Sequence, residues 1–343
     1  MRKRKGVIQS FAHALAILAI AAPPLAAAQG PAIIAGGTRS GSAGAARPAR
    51  QWAVPKTPWG DPDLQGLWPS IDMQGTPYER PPELAGKAVL GDEELKARAS
   101  AQSARPRGWG ETGIPSRQAS LIVEPADGRL PPLTAEGQQR FETARSTYYL
   151  DFPEAVVHHP FDNFEDLGPY DRCISRGVLA SMMPTAYNMG NEIFQIPGYV
   201  IIRNEMIHET RSIPLDGRPH IGAKIRQYMG DSRGHWEGDT LVIETTNFNG
   251  RVGMTRNGNT APTSADLRLV ERLTRTGVDT IQYEATVTDP RTWVRPWKVA
   301  LPFTRHSDYG MFEYACHEGN YAMKNILSAA RSDDHEAVPF PPR

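Results

Sequence analysis

Residues that can transfer protons are concentrated in a few short segments in the second half of the chain. These segments mix histidine, arginine and carboxylate side chains with turn residues. They contain His208, Arg211, His220, Asp231, Arg233, His235, Glu237, His317 and Glu318. Because loops and strand ends are where such groups converge on a ligand, the pattern predicts acid/base chemistry, with histidine shuttling protons near neutral pH.

We predict that His235 and His317 line one polar pocket, with Glu271 and Arg176 as partners. Glu271 shares a strand face with leucines, and a carboxylate on an apolar face either pairs with an arginine or has a raised pKa. The further catalytic candidates are His208 and Glu318, and the candidate ligand-binding residues are Arg172, Arg176, Tyr187, Arg211 and Trp236. The alternative interpretation of these groups is a structural ion-pair network.

Motifs that would specify other chemistry are absent from the sequence. It has no HExxH zinc motif and no P-loop. We therefore expect no metal and no organic cofactor. The histidines His208, His220, His235 and His317 are numerous enough to leave a histidine-rich metal site as an alternative.

The chain has two cysteines, Cys173 and Cys316. In an exported protein an even pair predicts a disulfide, because the periplasm is oxidising. Such a bond would hold the arginines near Cys173 close to His317 and Glu318.

The first 28 residues are typical of a secretory signal peptide. Four basic residues precede an apolar stretch from Phe11 to Ala22 and a small-residue site that ends at Ala28. The expected location is the periplasm or the exterior, after cleavage near Ala28. No later apolar run is long enough to span a bilayer, so no membrane span is expected.

The charge balance bears on the class of partner. The chain has 38 basic and 38 acidic residues, and four of the basic residues lie in the predicted signal peptide, so the mature net charge is about −4. Nucleic-acid binders rely on an excess of lysine and arginine. The expected partner is therefore a small molecule and not a nucleic acid, and the oligomeric state stays open.

The first half of the chain predicts loops and short helices without a core of its own. Residues 29–57 are rich in Gly, Ala, Ser and Pro, which predicts a flexible leader. Residues 58–190 predict a wrapping region with helices over 86–105 and 134–149. Thr134 is the expected N-cap of the second helix.

The second half alternates apolar and polar residues, as half-buried strands do. Residues 191–331 predict an antiparallel lipocalin-like β-barrel with a terminal helix, with a β-sandwich as the alternative, and 332–343 predict a frayed tail. The predicted strands are 192–196, 199–205, 210–215, 225–229, two strands within 234–248, 267–274, 281–287, 293–304 and 311–315. The helix over 321–331 is expected to pack on the barrel through Tyr321, Ile326, Leu327 and Ala330.

Five segments resemble, in order, a family of exported Gram-negative bacterial proteins without an assigned chemistry. They are TPWGDPDLQGLW, RCISRG with MMPTAYN, MIHETRSIPLDGRPH, GDSRGHWEGDTLVIETTNFN and MFEYACHEGNY. The resemblance spans residues 57–331 and implies secretion and one compact unit. It implies no catalytic residues.

We therefore predict an exported enzyme that acts on a small hydrophobic or aromatic molecule by cofactor-free acid/base chemistry, of isomerase, lyase or hydrolase type. The alternative is a periplasmic protein that binds or carries such a molecule without catalysis. An enzyme needs at least two titratable groups that converge within hydrogen-bond reach, whereas a carrier needs few. A purely structural envelope protein is a third possibility.

Overall fold

The two longest strands show how the sequence builds the fold. β8 (Arg268–Gly277) and β9 (Thr280–Thr288) alternate buried and more exposed side chains, as period-two segments do. They pair antiparallel across a short turn, because the alternating pattern places the apolar residues of both strands on one face. The strand pair predicted here is confirmed.

The computed structural model describes residues 52–103, 111–143, 163–254 and 263–336. The predicted signal peptide and most of the predicted leader lie outside the described residues. So do the predicted helix end at 144–149 and the final part of the predicted tail, 337–343.

Ten strands in the described chain form two antiparallel sheets. The first sheet has the order β1-β3-β4-β5, with β1 (Gly66–Leu67), β3 (Asn191–Ile196), β4 (Tyr199–Asn204) and β5 (Thr210–Pro214). The second has the order β2-β10-β9-β8-β7-β6, with β2 (Ile122–Glu124), β6 (Asp231–Glu237), β7 (Thr240–Thr246) and β10 (Trp297–Thr304). The mainly antiparallel β fold is as predicted, but the strand pairings among the described residues do not close into one barrel.

One buried apolar cluster takes side chains from both sheets, including Ile202 of β4 and Leu269 of β8. Residues that precede the main strands also enter this cluster, among them Trp68 and Leu121. The predicted wrapping region thus supplies two edge strands and part of the core. It is an integral layer of the fold and more than a covering of loops.

Four α-helices lie in the described residues: α1 (Asp92–Ser103), α2 (Ala135–Thr143), α3 (Val178–Met182) and α4 (Ala322–Glu336). The predicted N-cap of α2 is confirmed, because Thr134 Oγ1 accepts a hydrogen bond from Gly137 N at 3.0 Å. No helix among the described residues is long and apolar enough to cross a membrane.

The terminal helix packs differently from the prediction. Ile326, Leu327 and Ala330 of α4 form a small cluster with Leu167, a residue of the wrapping region and not of either sheet. Tyr321 is exposed, so its predicted packing is wrong. The helix continues to Glu336, which also corrects the predicted start of the frayed tail.

Two predicted strands do not form. At 225–229, Gln227 makes one isolated bridge to Phe248 and the chain otherwise turns. At 311–315, the Phe312 amide donates to a carboxylate oxygen of Glu205 at 2.9 Å. A short apolar run forms a strand only when a neighbouring strand edge is free to pair with it. In these two segments the backbone groups are in turns or bond to side chains instead.

The predicted disulfide is present between Cys173 and Cys316, whose Cα atoms are 5.8 Å apart. It joins the loop before α3 to the loop before α4. Two segments that are far apart in sequence are therefore held together beside β4 and β5.

Gly137 provides a test of how closely α2 packs against the backbone of Thr292. A Cβ at this position would collide with the Thr292 carbonyl oxygen and lie 3.0 Å from Thr292 Cα. Replacing a helical glycine by alanine usually stabilises a helix by roughly 0.5–1 kcal/mol. We expect Gly137→Ala instead to lower the free energy of unfolding by about 1–3 kcal/mol, because backbone must shift.

The measurement is urea denaturation of the oxidised protein. Gly222→Ala is the matched control, because a Cβ there meets no atom within 4 Å, and it should change stability by less than about 0.5 kcal/mol. A Gly137→Ala protein as stable as the wild type would contradict this packing.

Candidate functional site

The connection between β4 and β5 has a strained backbone. Ile207 and His208 have φ values of 57° and 46°, a left-handed conformation that is a clear outlier for a β-branched residue. The non-glycine residues with positive φ in the described chain are Cys173, Asn188, Ile207, His208 and Asn247. Ile207 packs in one cluster with Tyr170 and Tyr187, which precede Cys173 and Asn188 in the chain. The first four residues therefore lie around this cluster, and such strain is concentrated at functional sites.

A buried ion pair joins β5, the strand that follows this connection, to β8. Arg211 of β5 donates from both terminal nitrogens to Glu271 of β8, at 2.6 and 2.9 Å. Tyr283 of β9 donates its hydroxyl to the same carboxylate at 2.9 Å. Of the two alternatives for Glu271, an arginine partner or a raised pKa, the structure shows the arginine partner. Burial, and then the Glu271 charge, raise the pKa of Tyr283 well above its ordinary value, so its hydroxyl stays a donor.

Glu209 lies on the same inward side as Arg211. It directly precedes β5, and its side chain is buried, as is that of Arg211 two residues further on. Ser181 Oγ donates to one carboxyl oxygen, Oε2, at 2.7 Å. Burial raises the pKa of Glu209, and the Ser175 and Ser181 hydroxyls and the Arg176 backbone amide lower it only in part. Glu209 therefore favours its protonated form more than an exposed glutamate does.

Two buried polar atoms in this site have no hydrogen-bond partner among the described residues. They are Oε1 of Glu209 and Nε of Arg211. Unpaired buried polar atoms are rare because each costs about 1–3 kcal/mol. They are two of several such atoms among the described residues, and their place on residues two apart makes this a candidate position for a polar group of a ligand.

Three tyrosines line the side of the site next to the disulfide. The rings of Tyr187 and Tyr314 stack with centroids 6.4 Å apart, and the hydroxyls of Tyr170 and Tyr314 are 3.5 Å apart. Burial raises the pKa of Tyr187, and burial followed by the bond to Tyr170 raises that of Tyr314 to about 12. The hydroxyls of Tyr187 and Tyr314 are thus neutral donors at physiological pH.

Arg176 connects the tyrosines to Glu209. Its side chain is almost fully buried and donates to the Ala180 carbonyl at 2.6 Å. Its charge partly offsets the rise in the pKa of Tyr187 and Tyr314. Together with Tyr187, Arg211, Glu271 and the neighbouring His208, it forms the part of the predicted residue set that the structure brings together.

The predicted pocket shared by His235, His317, Glu271 and Arg176 is wrong. His235 pairs with Val242 of β7, which in turn pairs with Arg272 of β8, whereas Glu271 pairs with Ile243 and lies on the opposite face. His235 is exposed and its Nε2 is 3.2 Å from Glu237. His317 and Glu318 are exposed as well. A shift of one residue along a strand reverses the face, and the disulfide alone does not bury its neighbours.

Other predicted residues have different surroundings. Arg172 donates to the Tyr228 hydroxyl at 3.3 Å and lies over the Phe164 ring. Trp236 of β6 packs against the core. Exposed His208 contacts the Tyr314 carbonyl oxygen through Nδ1 at 3.3 Å, at the rim of the tyrosine group. Among the described residues, no group of three or more His, Cys, Asp and Glu is placed to hold a metal ion.

The sequence interpretation missed several residues of the site. Glu209 had a signal, because Glu209, Arg211 and Ile213 follow the same period of two. Tyr170 and Tyr314 could have been found from the disulfide, since each lies a few positions before a bridged cysteine. The roles of Ser175, Ser181 and Tyr283 had no signal, because their partners come from distant segments.

A second group of acids lies near Asn188. Tyr309 Oη is 2.9 Å from Glu111 Oε2 and 2.7 Å from Glu205 Oε2. A tyrosine hydroxyl has one proton, so both contacts are hydrogen bonds only if one carboxyl is protonated. Burial raises the pKa of Glu111, so Glu111 favours its protonated form more than an exposed glutamate does. Glu205 accepts from the Gly190 amide at 3.0 Å, which indicates a structural role.

The raised pKa of Glu209 predicts a pH-dependent stability difference. A group whose pKa is raised on folding contributes stability at low pH and loses it as pH rises through the folded pKa. Glu209→Gln cannot ionise, so we expect it to match the wild type near pH 4. It should exceed the wild type by on the order of 1 kcal/mol at pH 8, as measured by urea denaturation.

Glu237→Gln is the matched control, because hydrogen bonds from Arg272 and His235 lower the pKa of this exposed carboxyl. It should show no gain with rising pH. If Glu209→Gln is instead less stable than the wild type at pH 8, Glu209 is ionised in the folded protein.

The buried ion pair predicts a second, larger effect. Arg211→Met leaves the Glu271 charge buried without its partner, which should cost about 3–5 kcal/mol of stability. Removing both charges with Arg211→Met and Glu271→Gln should cost less than the single change. Arg203→Met, which breaks the half-exposed pair with Glu192, should cost no more than about 1 kcal/mol. Equal losses for the Arg211 and Arg203 variants in urea would contradict the assignment.

The comparisons with known proteins give no relative. No protein-family model, no curated protein and no solved structure matches the chain. The resemblance to an exported Gram-negative family therefore stays a prediction, and the candidate site is defined by its own contacts.

Proposed function

We propose that the protein is an exported enzyme that acts on a small hydrophobic or aromatic molecule by acid/base chemistry at Glu209. The carrying observation is the pair of buried, unpartnered atoms, Glu209 Oε1 and Arg211 Nε. A carbonyl or hydroxyl oxygen of the substrate would accept from Arg211, the ionised fraction of Glu209 would take a proton from the reacting carbon, and the carboxyl so protonated would return a proton to it.

The surroundings of Glu209 support this proposal. A carboxyl whose pKa is raised by burial is suited to proton transfer near neutral pH. The stacked rings of Tyr187 and Tyr314 offer a face for an aromatic group. Glu271 holds Arg211 through two hydrogen bonds, which would fix the geometry of the site before the substrate binds.

The proposal includes the finer architecture and the location. We propose that the two sheets form an incompletely closed, lipocalin-like barrel. A Cβ on Gly234 of β6 would lie 2.9 Å from the Ile213 side chain of β5, so these edge strands are close. Thr304 N of β10 donates to Pro69 O at 3.3 Å on the other side. The disulfide supports an oxidising compartment.

The test uses 4-hydroxyacetophenone, which has an aromatic ring, a carbonyl and exchangeable methyl protons. The oxidised protein is incubated with it in D₂O, and the loss of the methyl proton signal is followed by NMR. We expect the wild type to accelerate exchange above the buffer rate. Glu209→Gln should lower the protein-dependent rate by at least about 100-fold, since general acid/base catalysis contributes roughly 10²–10⁴.

Glu237→Gln serves as the control and should exchange at the wild-type rate. If Glu209→Gln exchanges as fast as the wild type, Glu209 is not the acid/base group. If the probe binds saturably in calorimetry but no exchange is accelerated, the protein is a carrier, which is the alternative function.

A further inference from the structure

A cavity of about 250 Å³ lies against α2 and shares no lining residue with the Glu209 site. Its wall is mainly apolar and is formed by Leu130, Pro132, Leu133, Phe141 and Trp293. Small-molecule sites have this composition, with a few polar groups that fix orientation.

The wall of the cavity is fixed by backbone hydrogen bonds. Leu133 forms an antiparallel bridge with Trp293, and Val294 N donates to Pro132 O at 3.0 Å. Thr134 N donates to Thr292 O at 2.9 Å. A cavity held between two paired segments is largely formed before a ligand enters, which lowers the ordering cost of binding.

Glu79 contributes the charge in the cavity. Its Oε1 accepts a hydrogen bond from Leu130 N at 2.6 Å, which ties the carboxylate to another residue of the cavity wall. The other oxygen, Oε2, has no hydrogen-bond partner and no ion pair among the described residues. No arginine or lysine lines the cavity, so the carboxylate is not neutralised within it.

We propose that this cavity binds a small organic cation, namely a primary amine attached to one aromatic ring by a short chain. A dry cavity of about 150 Å³ accommodates benzene, so 250 Å³ has room for a ring and a short chain. The ring would contact Trp293 and Phe141. The ammonium group would donate to Glu79, because an unpaired carboxylate on an apolar wall complements a cation.

The experiment is calorimetric titration of the oxidised full chain with three probes of similar shape at neutral pH. They are 2-phenylethylamine, which is positively charged, 2-phenylethanol, which is neutral, and 3-phenylpropanoate, which is negatively charged. We expect the amine to bind about tenfold more tightly than the alcohol, a difference that corresponds to about 1.4 kcal/mol. The carboxylate probe should bind more weakly than both.

Two variants identify the residue. Glu79→Gln should weaken amine binding about tenfold and change alcohol binding less than twofold, whereas the neighbouring exposed Glu83→Gln should change neither. Equal affinity of the wild type for amine and alcohol would overturn the proposal, and this comparison needs no variant to fold. Amine binding that survives Glu79→Gln would overturn it as well.

Discussion

The buried pair of Arg211 and Glu271 is the interaction on which the arrangement of the two sheets depends. Arg211 belongs to β5 of the first sheet and Glu271 to β8 of the second. No ladder joins the two sheets among the described strands, so they meet through side chains. Apolar contacts are non-directional, whereas a bidentate arginine and carboxylate pair fixes both distance and orientation. The pair therefore determines the relative position of β5 and β8.

The disulfide and the strained connection act on the same region from the outside. Cys173 and Cys316 are joined, which places Tyr170 and Tyr314 next to each other. The left-handed residues Ile207 and His208 reverse the chain between β4 and β5 within a few residues. Such a backbone costs of order 1–3 kcal/mol per residue, and the disulfide and the core contacts around Met206 maintain it.

The sequence was informative where structure depends on local period and misleading where it depends on long-range partners. The alternation in β8 and β9 predicted both strands and the inward position of Glu271. The location of its partner was not readable, because Arg211 comes from another sheet. His235 was placed in the pocket because of its chemistry, without considering which face of β6 it occupies. Gly234 and Trp236, on either side of it, carry the inward-facing pattern. The segment 311–315 has strand-like residues, but no strand edge among the described residues pairs with it.

The different roles of Glu209 and Glu271 follow from the donors around each carboxyl. Glu271 accepts two hydrogen bonds from Arg211 and one from Tyr283, so both of its oxygens are occupied. Glu209 is buried in the same region, yet its Oε1 has no partner among the described residues and burial raises its pKa. An oxygen that is already saturated cannot exchange a proton with a substrate without first losing a bond. The proposed proton transfer is therefore assigned to Glu209, and Glu271 holds Arg211 in position.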